Sequence, residues 1–400
     1  MKLARTPAKV VVHEATAYPG GRCRSYFDRA IGMTIDNGNH LVLSGNHAVQ
    51  EFAVAIGSAN ALVGPETADF PFVDLKSGER WTLRINDGLP WWIFDKKRRV
   101  PGTTAFDYLK VARLLRVADD AKVGDVLDCS GALYDKLLGP VLLAALNIDP
   151  PEGAAVLASA VMRETLALGG AACRPLIARD GLSHAFIEPA LKHLKANGIE
   201  VQPEHELRAM TFDGGRVSRL DFGADQIDLE TEDAVIVAVP THAAAALIPG
   251  LTTPQGYRSI ANAHFKIDVP PGVPPMQGLV NATTEWIFAF EGRLSVTISS
   301  ADRLMDVPRS ELAQTIWNEV AKATGIAADL PPWQIVRERR ATFAATPTEN
   351  LKRPGARTQW ENLFLAGDWT ATGLPATLEG ATRSGNRAAE LANELMKRAA

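Results

Sequence analysis

The sequence predicts an α/β protein in which a parallel sheet is assembled from widely separated segments of chain. Three short apolar runs support this prediction, at residues 10–13, 234–239 and 363–366. Continuous apolar runs are typical of parallel strands that are covered on both faces. The first run ends at an acid, Glu14, and the last run ends at Gly367-Asp368. Because the runs are so far apart, the domain that contains this sheet is predicted to be discontinuous.

The intervals between these runs predict a second, mixed α+β domain. Residues 71–94 and 256–300 are predicted to form strands, whereas Asp213-Gly214-Gly215 predicts a hairpin turn in the first domain. Helical periodicity is found over residues 103–118, 131–147, 151–168 and 308–324. The predicted first domain comprises residues 1–60, 175–245 and 335–400, and the second comprises residues 61–174 and 246–334.

Composition argues against several classes of function. A net charge of −4 and a pI near 6.1 give no electrostatic reason to expect a nucleic-acid partner. The three cysteines form no CxxC pair and the eight histidines form no HxxxH pair, so neither a disulfide framework nor a metal site is expected. No apolar run approaches the roughly 18 residues that span a membrane. These features predict a cytoplasmic protein that is soluble or peripheral to the inner face of the membrane.

The C-terminal block carries most of the chemistry. A strand, the pair Gly367-Asp368 and a helix that starts near Pro375 follow one another, and small residues recur every four positions along that helix. A helix face lined only by small side chains lets another backbone or a flat ligand approach closely. The helix start offers free N–H groups that can stabilise a flavin when it becomes negative on reduction. Asp368 can bond a ribityl or ribose hydroxyl. The alternative is a tightly packed structural helix with a surface aspartate.

Three stretches resemble the squalene-associated FAD-dependent desaturases, a family now described as hydroxysqualene dehydroxylases, within the flavin amine oxidase and phytoene desaturase superfamily. They are HEATAYPGGRCRSYFDRAIGMTIDNGNHLVLSGN, LPWWIFDKKRRVPGT and FLAGDWTATGLPATLEGATRSG. The resemblance covers essentially the whole chain. It implies a Rossmann-like FAD-binding domain, a substrate domain and an isoprenoid lipid substrate in squalene and hopanoid biosynthesis.

The resemblance also implies roles for individual residues. Glu14 would bind the adenosine ribose, Leu207 would place a strand backbone against adenine, and Arg22 would neutralise charge along the diphosphate. Residues 375–381 would border the isoalloxazine, and Asp368 would hold the diphosphate–ribityl region. The implied FAD-binding residues are Glu14, Gly20, Gly21, Arg22, Leu207, Gly367, Asp368, Pro375, Ala376, Gly380 and Ala381.

The implied activity is the reductive dehydroxylation of hydroxysqualene. Residues 36–40 would approach the flavin from its other side, and either Asp36 or His40 is a candidate proton donor, with a bound water as an equal alternative. A plain turn with a satisfied polar cluster would also explain this segment. The competing activities are a phytoene-type desaturase and a flavin amine oxidase. A degenerate, non-catalytic lipid-binding homologue is the alternative outside the enzymes.

The sequence departs from the superfamily pattern at its start. In the superfamily, a strand and a GxGxxG loop precede the strand that ends at the ribose-binding acid. Only thirteen residues precede Glu14 and none is glycine. We therefore expect the FAD-binding domain to be N-terminally incomplete, and FAD to bind poorly unless the chain is extended upstream. The competing interpretation is a homologue that no longer binds FAD.

A last stretch, residues 89–100, predicts contact with a membrane. It places the sequence LPWWIF directly before Lys96-Lys97-Arg98-Arg99. Indole rings favour the headgroup layer, and basic residues are attracted to anionic lipids. A C30 isoprenoid substrate would give such a contact a purpose. An equally supported alternative is that Trp91 and Trp92 lie in the core of the second domain.

Overall fold

A computed structural model describes residues 1–327 and 329–399 of the chain. Both strands and helices are distributed along this length, and a large mixed sheet is among them, so the predicted α/β class is confirmed. The strands are β1 (Val12–His13), β2 (Ser25–Asp28), β3 (Met33–Asp36), β4 (Leu41–Leu43), β5 (Leu62–Val63), β6 (Ala68–Asp74), β7 (Arg80–Ile85), β8 (Pro175–Ala178), β9 (Val201–Gln202), β10 (Ala209–Asp213), β11 (Arg216–Asp221), β12 (Gln226–Asp228), β13 (Val235–Val237), β14 (Tyr257–Lys266), β15 (Met276–Val280), β16 (Trp286–Phe290), β17 (Arg293–Ile298), β18 (Trp333–Phe343) and β19 (Leu363–Leu365).

The helices are mostly short. They are α1 (His47–Ala55), α2 (Ala105–Lys110), α3 (Val123–Val126), α4 (Gly139–Leu146), α5 (Ala155–Glu164), α6 (Glu188–Ala196), α7 (Thr241–Leu247), α8 (Arg309–Thr324), α9 (Pro347–Leu351) and α10 (Leu378–Ala399). Within residues 1–327 and 329–399, no helix is both long and apolar enough to cross a membrane.

The three predicted apolar runs are strands, and each lies in a parallel pair. β13 pairs with β19, with Val235 opposite Leu363, and β1 pairs with β9. β19 is buried on both faces, because Phe364 packs against α10 while Leu363 and Leu365 face the largest core. This double burial explains why the run is continuously apolar. The two pairs are not hydrogen-bonded to each other, so these strands do not form the single sheet that the sequence predicts.

Seven strands form the largest sheet, in the order β18-β14-β17-β16-β15-β6-β7. One face packs against α8, whose Leu312 and Ile316 lie in the apolar core between them. The other face carries Phe72 and Trp286, whose rings meet edge to face with centroids 5.5 Å apart. Gly278 of β15 makes room for this pair, because a Cβ there would lie 2.4 Å from the Phe72 ring. The sheet and its helices form the predicted mixed α+β region.

Sheet membership suggests one change to the predicted domain boundaries. β18 belongs to the seven-stranded sheet, whereas the predicted boundary at residue 335 divides this strand. We therefore propose that the second domain extends to Phe343 and that the first domain resumes after it. β4, β5 and β8 form a separate three-stranded sheet, which joins the segments 41–63 and 175–178.

The predicted helices differ from the observed ones mainly by interruption. Residues 103–118 form α2 and then the 3-10 turn Val111–Leu115. Residues 131–147 begin with a wider π-helical turn, Tyr134–Leu138, before α4. The amphipathic helix predicted at 308–324 is confirmed as α8.

Two boundaries near the predicted site are corrected. The C-terminal helix begins at Leu378 and not near Pro375, because the Thr377 Oγ1 accepts a hydrogen bond from the Gly380 N–H at 3.0 Å and caps the helix there. Leu207 was predicted in a strand but lies in the extended connection between β9 and β10.

The hairpin turn predicted at 213–215 is confirmed. β10 and β11 are antiparallel, and Gly214 and Gly215 connect them with φ angles of +56° and +82°. Two consecutive positive φ angles are typical of a type I′ turn, which glycine adopts without strain.

Candidate active site

The turn that follows β19 is held from two sides. The Gly367 N–H donates to the Ser384 Oγ of α10 at 3.0 Å, and the Thr370 and Ser384 hydroxyls lie 2.7 Å apart. Gly367 has a φ of +143°, and a Cβ there would lie 2.5 Å from Trp369 Nε1, so only glycine fits. The small side of α10 is therefore packed against another backbone at this point.

Asp368 meets Arg22, which is distant in sequence. The Arg22 Nη2 lies 2.8 Å from Asp368 Oδ1, and Arg22 also donates to the Ala341 carbonyl of β18. The Asp368 charge raises the pKa of Arg22, against an opposing effect of burial. The Asp368 side chain is 12% exposed and that of Arg22 is 40% exposed, so this ion pair faces open space on one side.

The backbone of two glycines, Gly20 and Gly21, directly precedes Arg22 of this ion pair. Gly20 and Gly21 have φ angles of +120° and +54°, and the Cys23 N–H closes the turn on the Gly20 carbonyl at 2.9 Å. A Cβ at Gly20 would lie 3.0 Å from the Cys23 carbonyl, whereas one at Gly21 would meet no atom within 4 Å. A guanidinium next to accessible backbone is suited to a negatively charged group such as a phosphate.

Arg353 is a residue that sequence reasoning missed. Its buried guanidinium donates to the Trp369 carbonyl at 3.3 Å, to the Asp368 carbonyl at 3.2 Å and to the Thr370 carbonyl. It also lies 4.7 Å from the centre of the Phe343 ring. Burial lowers the pKa of Arg353 to about 10, which leaves it charged at neutral pH. Arg353 therefore fixes the backbone on which Asp368 is mounted.

Asp36 is enclosed by hydrogen-bond donors. It is 2% exposed. The carboxylate accepts from the Ser25 Oγ at 2.6 Å and the Leu182 N–H at 2.8 Å, and Arg293 Nη2 lies 3.5 Å away. These groups are two hydrogen-bond donors and one positive charge, and all of them complement a carboxylate. This environment is typical of a structural ion pair.

His40 lies among the other predicted site residues. Burial lowers its pKa, the positive Arg22 lowers it further, and Asp36 and Asp368 act in the opposite direction. The imidazole has no hydrogen-bond partner within the described part of the chain, and it is only partly buried. The fold thus brings Arg22, Asp368 and His40 together with a ring nitrogen still available.

The turn that carries His40 is joined to the large sheet. The Asn39 Nδ2 donates to the Thr297 Oγ1 at 3.1 Å, and that hydroxyl donates to the Asn262 Oδ1 at 2.9 Å. A Cβ at Gly38 would lie 3.2 Å from Asn262 Nδ2, so the turn sits directly on β14. The candidate site therefore lies where the two predicted domains meet.

A second part of the site lies at the end of β1. One Glu14 carboxylate oxygen accepts from both the N–H and the hydroxyl of Thr16 at 2.9 Å. The His205 N–H donates to the Glu14 carbonyl at 2.9 Å, which aligns the connection that contains Leu207 with this end of the strand. The Nδ1 atoms of His13 and His205 lie only 2.7 Å apart, and burial lowers the pKa of His13. One of these two nitrogens carries a hydrogen and donates it to the other.

The start of α10 carries an ionic network that the sequence did not reveal. The buried Glu379 carboxylate accepts from two N–H groups in the first turn of α1, at 3.0 and 3.1 Å, and from Arg383 at 2.8 Å. Arg383 in turn makes two hydrogen bonds to Glu164 of α5, at 2.7 and 3.0 Å. The network fixes α10 against both predicted domains.

The predicted flavin-bordering residues differ in accessibility. Gly380 is buried under the preceding loop, because a Cβ there would lie 3.2 Å from the Pro375 carbonyl oxygen. Pro375 is also buried, whereas Ala376 and Ala381 are partly exposed. Among the described residues, the N–H groups of Leu378 and Glu379 have no acceptor. The helix start therefore retains free donors.

Comparison with known proteins decides the family. A family model described as flavin containing amine oxidoreductase matches residues 2–393. The chain belongs to the flavin-containing amine oxidoreductase family. It is therefore an oxidoreductase that uses a flavin, and the resemblance found in the sequence is confirmed.

Within the flavin-containing amine oxidoreductases, the chain is similar to curated proteins with a specific name. It is 59% identical to the hydroxysqualene dehydroxylase of Rhodopseudomonas palustris, over 98% of this chain and 94% of the relative. It is 56% identical to the hydroxysqualene dehydroxylase of Sinorhizobium fredii over the same shares.

Two solved structures share the fold of this chain. A double mutant of putrescine oxidase has a TM-score of 0.70 at 14% identity, covering 98% of this chain and 95% of that one. An oxidoreductase from Methanosarcina mazei has a TM-score of 0.69 at 14% identity, covering 97% and 96%. At such identities the similarity concerns the fold alone.

Proposed function

We propose that this chain is an FAD-dependent hydroxysqualene dehydroxylase, which replaces the hydroxyl group of hydroxysqualene by hydrogen and forms squalene. The observation that carries the proposal is its identity of 59% and 56% with two proteins of that name, over 94% of their length. The convergence of Arg22, Asp368 and His40 beside accessible backbone supports it.

The residues of the site fit FAD. Arg22 and the open backbone at Gly21 would hold the diphosphate, and Asp368 would bind a hydroxyl of the ribityl chain. The partly exposed Ala376 and Ala381 would border the ring system, and the free N–H groups at the start of α10 would face its negative edge. Gly380 and Pro375 would support this border from beneath.

A hydrogen-bond acceptor that could bind the adenosine half of the cofactor favours FAD over FMN, which lacks that half. Thr16 occupies one oxygen of Glu14, and the second oxygen has no partner within residues 1–327 and 329–399. We propose that this oxygen binds the ribose, as the family resemblance implies, and that the backbone of Leu207 lies against the adenine. Glu14→Gln should therefore weaken binding of FAD more than binding of FMN.

The reaction requires a proton and a hydride. The C–O bond of the substrate breaks, the hydroxyl leaves as water after gaining one proton, and hydride replaces it on carbon. Reduced FAD, when bound, supplies the hydride. The protein positions the lipid and keeps the site dry, while His40 delivers the proton. Asp36 holds the turn of His40 and does not exchange the proton.

The lowered pKa of His40 makes this assignment testable. The protonated imidazole is a minor form at neutral pH, and it becomes more abundant as the pH falls. Turnover by the wild type should therefore increase from about pH 8 to about pH 6, and this dependence should disappear in His40→Asn. An unchanged pH profile in the variant would assign the proton to a bound water.

An anaerobic single-turnover experiment tests the function as a whole. The FAD-loaded protein is photoreduced and mixed with hydroxysqualene, and flavin absorbance and lipid products are followed together. We expect reoxidation with one squalene formed for each flavin. Absence of reoxidation, combined with turnover of phytoene or of amines under oxidising conditions, would reject the proposal in favour of a desaturase or an amine oxidase.

A further inference from the structure

Exposed apolar side chains are concentrated in one short part of the chain. Five large apolar residues between positions 89 and 109 are 54–72% exposed. Scattered exposed residues of this kind need no explanation, but a cluster of them marks an interaction surface. The five residues, which form the apolar part of what we name the 89–116 surface, are Leu89, Trp91, Phe94, Phe106 and Leu109.

The turn Trp91–Phe94 has two buried side chains and two exposed aromatic rings. Trp92 and Ile93 are each 4% exposed and lie in the largest core, whereas Trp91 and Phe94 point out, with ring centroids 6.1 Å apart. The core position that was the alternative for both tryptophans is therefore found for Trp92 and not for Trp91. The buried half makes this presentation rigid, so the exposed rings are not a frayed loop.

α2 is joined to this turn and extends the surface. The Trp92 ring meets Tyr108 of α2 edge to face at 5.0 Å, and the Tyr108 hydroxyl accepts from the Val100 N–H at 2.9 Å. Phe106 and Leu109, on the same short helix, remain exposed. Two consecutive elements therefore present apolar side chains from one packed unit.

The charge of this segment is opposite to that of the whole protein. Residues 89–116 contain seven basic and two acidic residues, a net charge of +5, in a chain whose net charge is −4. Lys96, Lys97, Arg113 and Arg116 are all accessible, and none of them has an ion-pair partner in the described residues. Arg99 instead donates to the Ile93 carbonyl at 2.9 Å and supports the turn from within.

We propose that the 89–116 surface docks on an anionic lipid bilayer. Exposed aromatic rings beside unpaired basic side chains match an interface in which apolar groups enter the headgroup layer and cations approach lipid phosphates. The reason for docking rests on the proposed function, since a C30 isoprenoid is dissolved in the bilayer. The docking itself rests only on the surface.

Co-sedimentation with vesicles tests the proposal. The vesicles contain phosphatidylcholine alone or phosphatidylcholine with phosphatidylglycerol. We expect the wild type to bind the anionic vesicles. The variant in which Lys96, Lys97, Arg113 and Arg116 are all changed to Gln should have an affinity for them that is lower by about tenfold or more. Trp91→Ser with Phe106→Ser should also reduce binding, including the part that persists at high salt.

Matched controls separate this surface from general effects. Changing the exposed Lys192, Lys195, Lys397 and Arg398 to Gln removes the same charge elsewhere, and Phe27→Ser with Leu351→Ser removes apolar groups that are 64% exposed elsewhere. Both controls should bind vesicles like the wild type. Equal binding by test and control variants would overturn the proposal.

A second copy of the chain is the other occupant that this surface could bind. A dimer in lipid-free solution that Trp91→Ser with Phe106→Ser dissociates, combined with no vesicle binding, would overturn the proposal in favour of self-association. The vesicle assay needs neither FAD nor substrate. Failure of turnover with intact vesicle binding would therefore overturn the proposed function alone.

Discussion

Asp36 and Asp368 are both near enough to His40 to raise its pKa, but the fold surrounds the two carboxylates very differently. Asp36 is 2% exposed, and its carboxylate is bonded by a hydroxyl, a backbone N–H and Arg293. Asp368 forms an ion pair with Arg22, whose side chain is 40% exposed. One carboxylate is fully satisfied within the protein, and the other keeps capacity for a further hydrogen bond.

The difference separates a structural carboxylate from one that can bind a ligand. The sequence suggested a functional role for both, for Asp368 from its place after a strand-ending glycine and for Asp36 from the family resemblance. Burial with several donors makes Asp36 part of the folded core, where its loss leaves Arg293 without a counter-charge. Asp368 is mounted on a backbone that Arg353 fixes, so it can accept a ligand hydroxyl without having to move.

The largest expected effect concerns Asp36. Asp36→Asn removes the counter-charge of the buried Arg293 and should lower the free energy of unfolding by about 3 kcal/mol. Chemical denaturation followed by fluorescence measures this change. Asp368→Asn is the control, with an expected loss under about 1 kcal/mol, because its partner Arg22 reaches solvent. Equal losses in the two variants would abolish the distinction between the carboxylates.

A second buried carboxylate, Glu379, extends the comparison. Glu379→Ala leaves two N–H groups of α1 and one side of Arg383 unpaired, which should cost about 2 kcal/mol of unfolding free energy. Glu390 is the control on the same helix, because its partners Lys2 and Arg387 are exposed. Glu390→Ala should change stability by about 0.5 kcal/mol or less. A larger loss from Glu390→Ala than from Glu379→Ala would contradict this ranking.

The two carboxylates should also differ in their contribution to FAD binding. Asp368→Asn should weaken FAD binding roughly 10-fold to 100-fold, because a charge-assisted hydrogen bond is replaced by a neutral one. Titration of the flavin-free protein with FAD, followed by quenching of flavin fluorescence, gives the dissociation constant. Asp36→Asn should have a smaller effect on binding when it is measured below its unfolding transition. Unchanged FAD affinity in Asp368→Asn would remove this residue from the flavin site.

The smallest expected effect is the contribution of His264 to acid sensitivity. His264 is buried beside Arg293, and burial together with that charge lowers its pKa from 6.5 to about 3. The folded state therefore resists its protonation, so its stabilising contribution is complete above pH 6.5 and is lost as the pH falls towards 3. Lowering the pH from about 7.5 to about 5.5 should cost about 1 kcal/mol through this group.

Two variants isolate that contribution. His264→Gln should lose less stability than the wild type over the same pH change, and the exposed His184→Gln should behave like the wild type. Thermal unfolding at both pH values measures the difference between the proteins. Parallel pH dependence in all three would show that His264 does not contribute.

Features that depend on neighbouring residues could be predicted from the sequence. The type I′ turn at Gly214 and Gly215 follows from their tolerance of positive φ, and α8 follows from its apolar periodicity. The bounds of helices and strands were predicted less well, because individual side chains can shift where an element begins or ends. The Thr377 cap moves the start of α10 to Leu378, and Leu207 lies outside the strand in which it was expected.

The sequence by itself determined the α/β class, the parallel strands and the family, because apolar runs and quoted motifs are local in the chain. Only the tertiary structure decided which carboxylate is satisfied. Arg22 reaches Asp368 across 346 positions, and Arg293 reaches Asp36 across 257. Charge compensation in a folded protein depends on which side chains share a dry environment, and that environment exists only after distant segments have packed together.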